Sequence, residues 1–162
     1  SAIEGRASLD KPEELDFRAI VAKAIDQARP LAEIAGVHFK ETMSPEPVLL
    51  KGDAFILRAA VSNLLENAID FSPPDTEIGI SVETAGEEVI LSIRDHGPGI
   101  PDYAREKIFE RFYSLRHHAS KRKGTGLGLT LVRETAELHG GTITLDPAEG
   151  GGAVARLALP LT

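Results

Sequence analysis

The sequence predicts an α/β two-layer sandwich, in which helices cover one face of a mixed, mostly antiparallel sheet. Three observations lead to this prediction. Apolar residues recur at helical spacing in three stretches, and they alternate with polar residues, as in strands, in several others. Several of the alternating stretches lie close enough in sequence to form hairpins. Helices and hairpins mixed in this order are expected to pack as one layer of each.

Length and composition restrict the classes of function. The chain has 162 residues, enough for one sizeable core, and its 42% apolar and 27% charged residues are typical of a folded globular domain. With 18 Lys and Arg against 25 Asp and Glu, the net charge of −7 argues against binding to nucleic acid or anionic lipid. The lack of cysteine excludes disulfides and thiolate metal sites, and no apolar run is long enough to span a membrane.

The first residues are expected to lie outside the natural fold. Ile3-Glu4-Gly5-Arg6 is typical of a protease-cleavage linker added for expression, so residues 1–8 are predicted to have no structural role. Residues 9–162 then form a single domain, with a lid at about residues 110–128.

The first third of the chain predicts a helix, two short strands and the start of a second helix. Residues 13–35 have helical apolar spacing that stops at Gly36. Residues 37–41 alternate as a strand, and residues 48–50 suggest another. Asp53 is then placed to cap the second helix.

The second helix, predicted over residues 54–71, has a row of polar side chains. Asn63, Asn67 and Asp70 follow one another at i, i+4 and i+7, next to the apolar stripe. Asparagine has a poor helix propensity, so the pair requires a reason. A solvated face or a helix–loop hydrogen bond is one explanation. The other is that the amide oxygens suit Mg²⁺, which also binds nucleotide phosphates.

The next hairpin, over residues 77–83 and 88–94, ends at Asp95 and continues as His-Gly97-Pro-Gly99. A carboxylate at the end of a strand, before a flexible turn, is a common position for ligand recognition. An Asx-turn before glycine is the structural alternative. As a binding group, Asp95 would accept a hydrogen bond from an exocyclic amine.

A short helix is predicted within residues 101–108. Three aromatic residues that could simply be core follow it, Phe109, Phe112 and Tyr113, and a polar segment comes next. Residues 113–124 have no apolar period and are rich in Ser, His, Lys and Arg, which is typical of a lid. Because the chain is otherwise acidic, the cations within residues 116–123 are expected to contact phosphate locally. His117 and His118 are expected to be solvated lid residues.

A glycine loop, Gly124-Thr-Gly-Leu-Gly128, leads into a third helical pattern that stops at His139-Gly-Gly141. The backbone N–H groups of such a loop and of a helix N-terminus bind anions, most often phosphate. A Walker loop would end in Gly-Lys-Ser/Thr and a dinucleotide loop would have a small residue at Leu129, so neither fits. Residues 142–146 and 153–159 are predicted to form the closing strands.

Four motifs, in this order along the chain, resemble the N, G1, F and G2 boxes of bacterial sensor histidine kinases. The matching segments are Asn63-Leu-Leu-Glu-Asn67-Ala, Asp95-His-Gly-Pro-Gly-Ile100, Phe109-Glu-Arg-Phe-Tyr113 and Gly124-Thr-Gly-Leu-Gly-Leu129. The resemblance extends over about residues 10–161, and residues 100–115 resemble the CreC group of these kinases. It implies the Bergerat ATP-binding fold shared with gyrase, Hsp90 and MutL. It also implies transfer of the ATP γ-phosphoryl group to a histidine on a separate dimerisation domain.

The resemblance implies roles for particular residues. Asn67 would bind Mg²⁺ with Asn63 close to the metal, so these two are the expected catalytic residues, while Asp95 would accept a hydrogen bond from the adenine amino group. The cations and glycines of the lid would bind the phosphates. The residues expected to bind ATP are Asn63, Asn67, Asp70, Phe71, Asp95, Gly97, Gly99, Ile100, Arg116, Lys121, Arg122, Lys123, Gly124, Thr125, Gly126, Leu127, Gly128 and Leu129.

The resemblance also implies partners. Phe109 and Phe112 would face the dimerisation helices of the same kinase, and a response regulator receiver domain would be the downstream partner. No His-Glu or His-Asp pair lies on a predicted helix before Asp53, so the acceptor histidine is expected elsewhere and the isolated domain is expected to be a monomer. The implied setting is the cytoplasmic domain of a bacterial inner-membrane sensor.

One departure from the family pattern leaves other functions open. Asp70 stands where these kinases usually have Lys or Arg, which makes a degenerate nucleotide-binding or docking module one alternative. An ATPase of the gyrase or Hsp90 type is another, although it would need a carboxylate at the position of Asn63 to activate water. A serine kinase of the anti-sigma type is the third.

Overall fold

The structure, a computed structural model, describes residue 9, residues 11–110 and residues 128–162. The strands in these segments are β1 (Glu13–Asp16), β2 (His38–Met43), β3 (Leu49–Gly52), β4 (Glu77–Ala85), β5 (Glu88–Arg94), β6 (Thr142–Pro147) and β7 (Ala153–Pro160). The α-helices are α1 (Phe17–Ala35), α2 (Ala54–Phe71) and α3 (Gly128–Leu138), and two short 3₁₀ helices lie between β5 and α3 at Asp102–Ala104 and Lys107–Phe109. The predictions made for residues 1–8 and 111–127 lie outside the described residues.

Five strands form the main sheet in the order β2-β4-β5-β7-β6. β2 and β4 are parallel, while the β4–β5, β5–β7 and β7–β6 pairs are antiparallel. The predicted mixed, mostly antiparallel sheet is therefore confirmed. β1 and β3 form a separate antiparallel pair beside it.

One face of the main sheet packs against the helices. Along β4, Ile78, Ile80 and Val82 are buried in the core, whereas the alternating Gly79 and Ser81 are more exposed. The buried stripes of α1 and α2 belong to the same hydrophobic cluster as the inner face of the sheet. Because α2 contacts both α1 and α3, the helices form one continuous layer, as the predicted two-layer sandwich requires.

The first helix begins later than its apolar pattern predicts. Glu13 to Asp16 form β1, which pairs with β3, and helix α1 starts at Phe17. Asp16 explains the boundary, because its side chain accepts hydrogen bonds from the backbone N–H of Arg18 at 3.1 Å and of Val48 at 2.9 Å. The same carboxylate caps the helix and attaches it to the segment before β3.

Smaller differences concern the edges of elements. The helix predicted within residues 101–108 is two separate 3₁₀ turns. β2 extends to Met43 and β3 to Gly52, each two residues beyond the predicted ends at 41 and 50. Among the described residues, no helix is both long and apolar enough to cross a membrane.

Candidate functional site

Asp95 is held in place immediately after β5 by two backbone donors. Its Oδ1 accepts hydrogen bonds from the N–H of Gly97 at 2.9 Å and of Ala153 at 3.2 Å. The bond from Gly97 is the Asx-turn that the sequence left as an alternative. The bond from Ala153 comes from the first residue of β7, so the carboxylate orientation is also fixed from outside its own turn.

Burial shifts the protonation equilibrium of Asp95. Burial raises the pKa of this carboxyl above its ordinary value, while the two backbone hydrogen bonds and the charges of His96 and Arg94 act in the opposite direction. A partly desolvated carboxylate with two fixed donors is an acceptor that gains from a further hydrogen bond to a ligand.

The loop after Asp95 fits tightly between two other elements. A Cβ atom at Gly97 would overlap the carbonyl oxygen of Phe71 at the end of α2, so glycine is required there. A Cβ atom at Gly152 would overlap the carbonyl oxygen of Asp95 from the other side. His96 makes a third attachment, because its Nδ1 lies 2.8 Å from the carbonyl oxygen of Glu77 and must donate to it.

The polar row of α2 leads towards the start of α3. Asn63 and Asn67 are half-buried, and Nδ2 of Asn63 approaches the carbonyl oxygen of Gly128 at 3.5 Å, at the limit of hydrogen bonding. The site of a Cβ at Gly128 is also 3.8 Å from Cγ of Asn63. The structure therefore brings the first motif next to the last residue of the glycine loop, over a separation of 65 residues.

Asp70 lies near the end of this row and is 8% exposed, so it does not belong to a solvated face. The next residue, Phe71, is half-buried and presents its carbonyl oxygen to Gly97. The end of α2 and the loop after β5 are thus in direct contact. Asn63, Asn67 and Asp70 together form a polar row that is only partly open to solvent.

Phe109 attaches the 3₁₀ turns after β5 to α3. Its side chain is buried with Ala104 and Ile108, and its carbonyl oxygen accepts a hydrogen bond from Oγ1 of Thr130 at 2.9 Å. The guanidinium of Arg133 lies 6.0 Å from the centre of its ring, at the outer limit of a cation–π contact. Phe109 is therefore core as well as a candidate contact residue, as the sequence left open.

The predicted phosphate-binding residues are described only in part. Gly128 and Leu129 begin α3 and are half-buried, and Leu129 packs against both hydrophobic clusters. The other predicted lid residues lie outside the described residues: Phe112, Arg116, Lys121, Arg122, Lys123, Gly124, Thr125, Gly126 and Leu127.

The His139-Gly-Gly141 segment, predicted only as a helix stop, also attaches two helices to each other. His139 donates from Nδ1 to the carbonyl oxygen of Thr135 at 2.7 Å and accepts at Nε2 from the N–H of Asp53 at 3.1 Å. This pattern requires a neutral imidazole with its proton on Nδ1. Burial lowers the pKa of His139, although the bond to Thr135 and the charge of Asp53 oppose the change. The end of α3 is thereby attached to the capping residue of α2.

A family model described as histidine kinase-, DNA gyrase B-, and HSP90-like ATPase matches residues 52–162. Among curated proteins, the chain is 41% identical over 148 residues to the sensor protein CreC of Escherichia coli, covering 86% of this chain and 31% of that protein. The chain thus spans about a third of the length of this relative.

Solved structures of histidine kinases show the same fold. The mycobacterial sensor histidine kinase MprB superposes with a TM-score of 0.81 at 30% identity, covering 93% of this chain and 97% of that one. Full-length ShkA in complex with AMPPNP has a TM-score of 0.81 at 26% identity, covering 98% of this chain and 33% of that one.

Proposed function

The chain belongs to the family of histidine kinase-, DNA gyrase B- and HSP90-like ATPases, and from this premise we propose that it is the ATP-binding catalytic domain of a two-component sensor histidine kinase. It would transfer the γ-phosphoryl group of ATP to a histidine on a separate dimerisation domain. The observation that carries the proposal is the Asp95 carboxylate, which two backbone donors hold at the junction of α2, β5 and β7. The relative ShkA, solved with AMPPNP, supports a nucleotide as the ligand.

Asp95 would recognise the adenine base. With Oδ1 held by Gly97 and Ala153, Oδ2 would accept a hydrogen bond from the 6-amino group. Because Gly97 has no side chain, the loop can lie directly against Phe71, and we assign the ring pocket to Phe71, Gly99 and Ile100. A carboxylate selects adenine over a 6-oxo purine, which presents an acceptor at that position.

The polar row of α2 would serve the phosphates. Asn67 offers an amide oxygen of the kind that Mg²⁺ accepts, and Mg²⁺ at such a site would complete its coordination with phosphate oxygens and water. The contact between Asn63 and Gly128 supports this assignment, because it brings the row to the N-terminus of α3, where backbone N–H groups favour anions. When bound, Mg²⁺ would neutralise phosphate charge, and the residues of this chain would position ATP for in-line transfer.

The acceptor histidine would be brought by a partner domain. The 3₁₀ turns and Phe109, which α3 supports through Thr130 and Arg133, form the surface that we assign to the dimerisation helices of the same kinase. A response regulator would be the downstream partner. The setting would be the cytoplasmic part of a bacterial membrane sensor, since the relative CreC of Escherichia coli is a sensor protein.

Phosphotransfer from labelled ATP tests the proposal. The 162-residue chain, Mg²⁺, γ-labelled ATP and a dimerisation domain that carries the acceptor histidine should give acid-labile, alkali-stable label on that domain. Asn67→Ala should abolish the label, whereas Ser81→Ala, on the outer face of the sheet, should not. Phosphoserine, or no transfer by a chain that binds ATP, would refute the kinase assignment.

Hydrolysis of ATP is the rival activity, and the structure disfavours it. The position that would need a general base is Asn63, whose amide cannot accept a proton from water and faces Gly128 instead. We therefore expect phosphate release without the partner domain to be much slower than transfer to it. Asn63→Glu, which supplies a carboxylate at that position, should therefore release phosphate faster than the wild type, and unchanged hydrolysis would show that the missing base is not the reason.

A further inference from the structure

Arg94 and Asp95 are consecutive residues whose side chains point to opposite faces of the sheet. Ile93 is buried towards the helices, so Arg94, the last residue of β5, points to the outer face. Asp95 follows on the side where the base site is proposed. Arg94 nevertheless reaches the turn between β6 and β7, and Asp95 reaches Ala153, the residue that follows this turn.

Arg94 binds this turn from outside. Its Nη2 donates to the carbonyl oxygen of Glu149 at 2.5 Å and to that of Gly151 at 3.3 Å. Its Nε is buried and, within the described part of the chain, has no hydrogen-bond partner. This partly desolvated guanidinium donates to two main-chain carbonyl oxygens, so it restrains the backbone of the turn.

The turn needs such a restraint because of its composition. Gly150, Gly151 and Gly152 all have positive φ values, of 85°, 106° and 86°. Three consecutive glycines lose more conformational entropy on ordering than any other residues, so the turn is intrinsically loose. Its own bonds are the N–H of Ala148 to the carbonyl oxygen of Gly152 at 3.0 Å and the N–H of Gly151 to that of Ala148 at 3.1 Å.

The end of the turn contacts Asp95 directly. Gly152 lies so close to the carbonyl oxygen of Asp95 that a Cβ would overlap it, and the next residue, Ala153, donates its N–H to Oδ1 of Asp95. The N–H of Asp95 in turn donates to the carbonyl oxygen of Ala153 at 3.0 Å. The position of the turn therefore determines where one of the two donors to the carboxylate lies.

We infer that Arg94 is a positioning residue for base recognition. By fixing the turn 149–152 from the outer face of the sheet, it holds the N–H of Ala153 against Oδ1 of Asp95 and so aims Oδ2 at the 6-amino group of the base. The inference rests on the proposed function for the identity of the ligand. The geometry that links Arg94 to Asp95 does not depend on it.

Two nucleotides distinguish an effect on the orientation of the Asp95 carboxylate from a general effect on the stability of the site. ATP carries the 6-amino group, and purine riboside triphosphate lacks it but is otherwise the same. We expect Arg94→Met to weaken ATP binding about tenfold, equivalent to about 1.4 kcal/mol, and to leave binding of the purine analogue within about twofold. Arg94→Lys, which keeps a charged donor, should recover much of the ATP affinity. Arg156→Met is the matched control. Arg156 is exposed on β7 opposite Ser92, on the same outer face of the sheet as Arg94.

A nucleotide-free measurement tests the geometry alone. The amide proton of Ala153 should exchange faster with solvent in Arg94→Met than in the wild type or in Arg156→Met, while the amide of Leu91 in the middle of β5 stays protected. Unchanged protection of Ala153 would overturn the inference whatever the ligand is, and so would an equal loss of affinity for both nucleotides. A wild-type chain that binds neither nucleotide while Ala153 behaves as expected would instead refute the proposed function.

Discussion

Asp95 is the residue on which the proposed specificity depends. Asp95→Asn would keep an acceptor for Gly97 and Ala153 but would turn an NH₂ group towards the adenine amine, placing two donors opposite each other. We expect ATP to bind at least about tenfold more weakly, and ITP, whose base has an oxygen at that position, to bind relatively better. Calorimetric titration of both nucleotides measures the change, with Asp26→Asn on the exposed face of α1 as control. Equal affinity of the variant and the wild type for ATP would show that Asp95 does not read the base.

Asp70 is the second residue whose charge we expect to affect nucleotide binding. If this buried carboxylate lies beside the phosphates, as the family pattern implies, it repels them. Asp70→Asn keeps the size and a hydrogen-bonding group, which a buried position requires, and removes the charge. We expect the variant to bind ATP severalfold more tightly, most clearly at low salt. An affinity that does not change at any salt concentration would place Asp70 away from the phosphates and would remove the argument for a degenerate module.

At the scale of elements, the contact between α3 and α2 through His139 predicts a pH dependence of stability. His139 is neutral in the folded state with a lowered pKa, and the unfolded chain takes up the proton near pH 6.5. The unfolded state therefore binds more protons below that value, and the free energy of unfolding falls as the pH drops from about 6.5 towards the folded pKa, by at most about 1.4 kcal/mol per pH unit. Asp95, whose pKa is raised in the folded state, contributes a slope of opposite sign between pH 3.8 and its raised folded pKa.

Urea unfolding at several pH values between about 5 and 7.5, a range that includes the ordinary histidine pKa, measures this dependence. His139→Gln, which can still accept from Asp53, should be less stable at neutral pH but should lose most of the slope. His38→Gln, at an exposed position of β2, should keep the wild-type slope. An unchanged slope in the His139 variant would exclude His139 as its source.

The elements that the sequence predicted best are those whose signals are local. α2 was predicted with its observed bounds because Asp53 caps it and its apolar stripe is unbroken. The α1 helix is four residues shorter than predicted, because Leu15 fits both the helical period and the strand pairing, and the pairing with β3, distant in sequence, selects the strand. The place of Asp95 before glycines predicts a ligand-binding carboxylate, and that role stays a prediction. Its bond to Ala153, 58 residues away, and the bond of His139 to Asp53, 86 residues away, depend on sheet order and helix packing that no local pattern contains.

For the whole molecule, the surface of the described residues favours a monomer. Its large exposed apolar side chains are spread over four elements and only two of them share one: Leu31 and Ile34 on α1, Leu49 on β3, Phe55 on α2 and Tyr103 in the first 3₁₀ turn. The β2 edge of the sheet carries Lys40 and Glu41, charges that oppose strand addition. We expect sedimentation equilibrium to give the mass of one chain, 17.4 kDa, across the micromolar range. A dimer that persists on dilution would require an interface that these side chains do not provide.

The place of β7 has a consequence for how the molecule is made. β7 is last in sequence among the described strands, yet it lies inside the sheet between β5 and β6. A nascent chain that has emerged only as far as β6 therefore lacks the strand that joins β6 to the rest, and Asp95 lacks its donor from Ala153. Folding must await nearly the whole segment and should then occur in one cooperative step, because the pairing is long-range. A ribosome-bound chain stalled before residue 153 should be cut readily by protease and should not retain ATP, so nucleotide capture would mark completed synthesis of this domain.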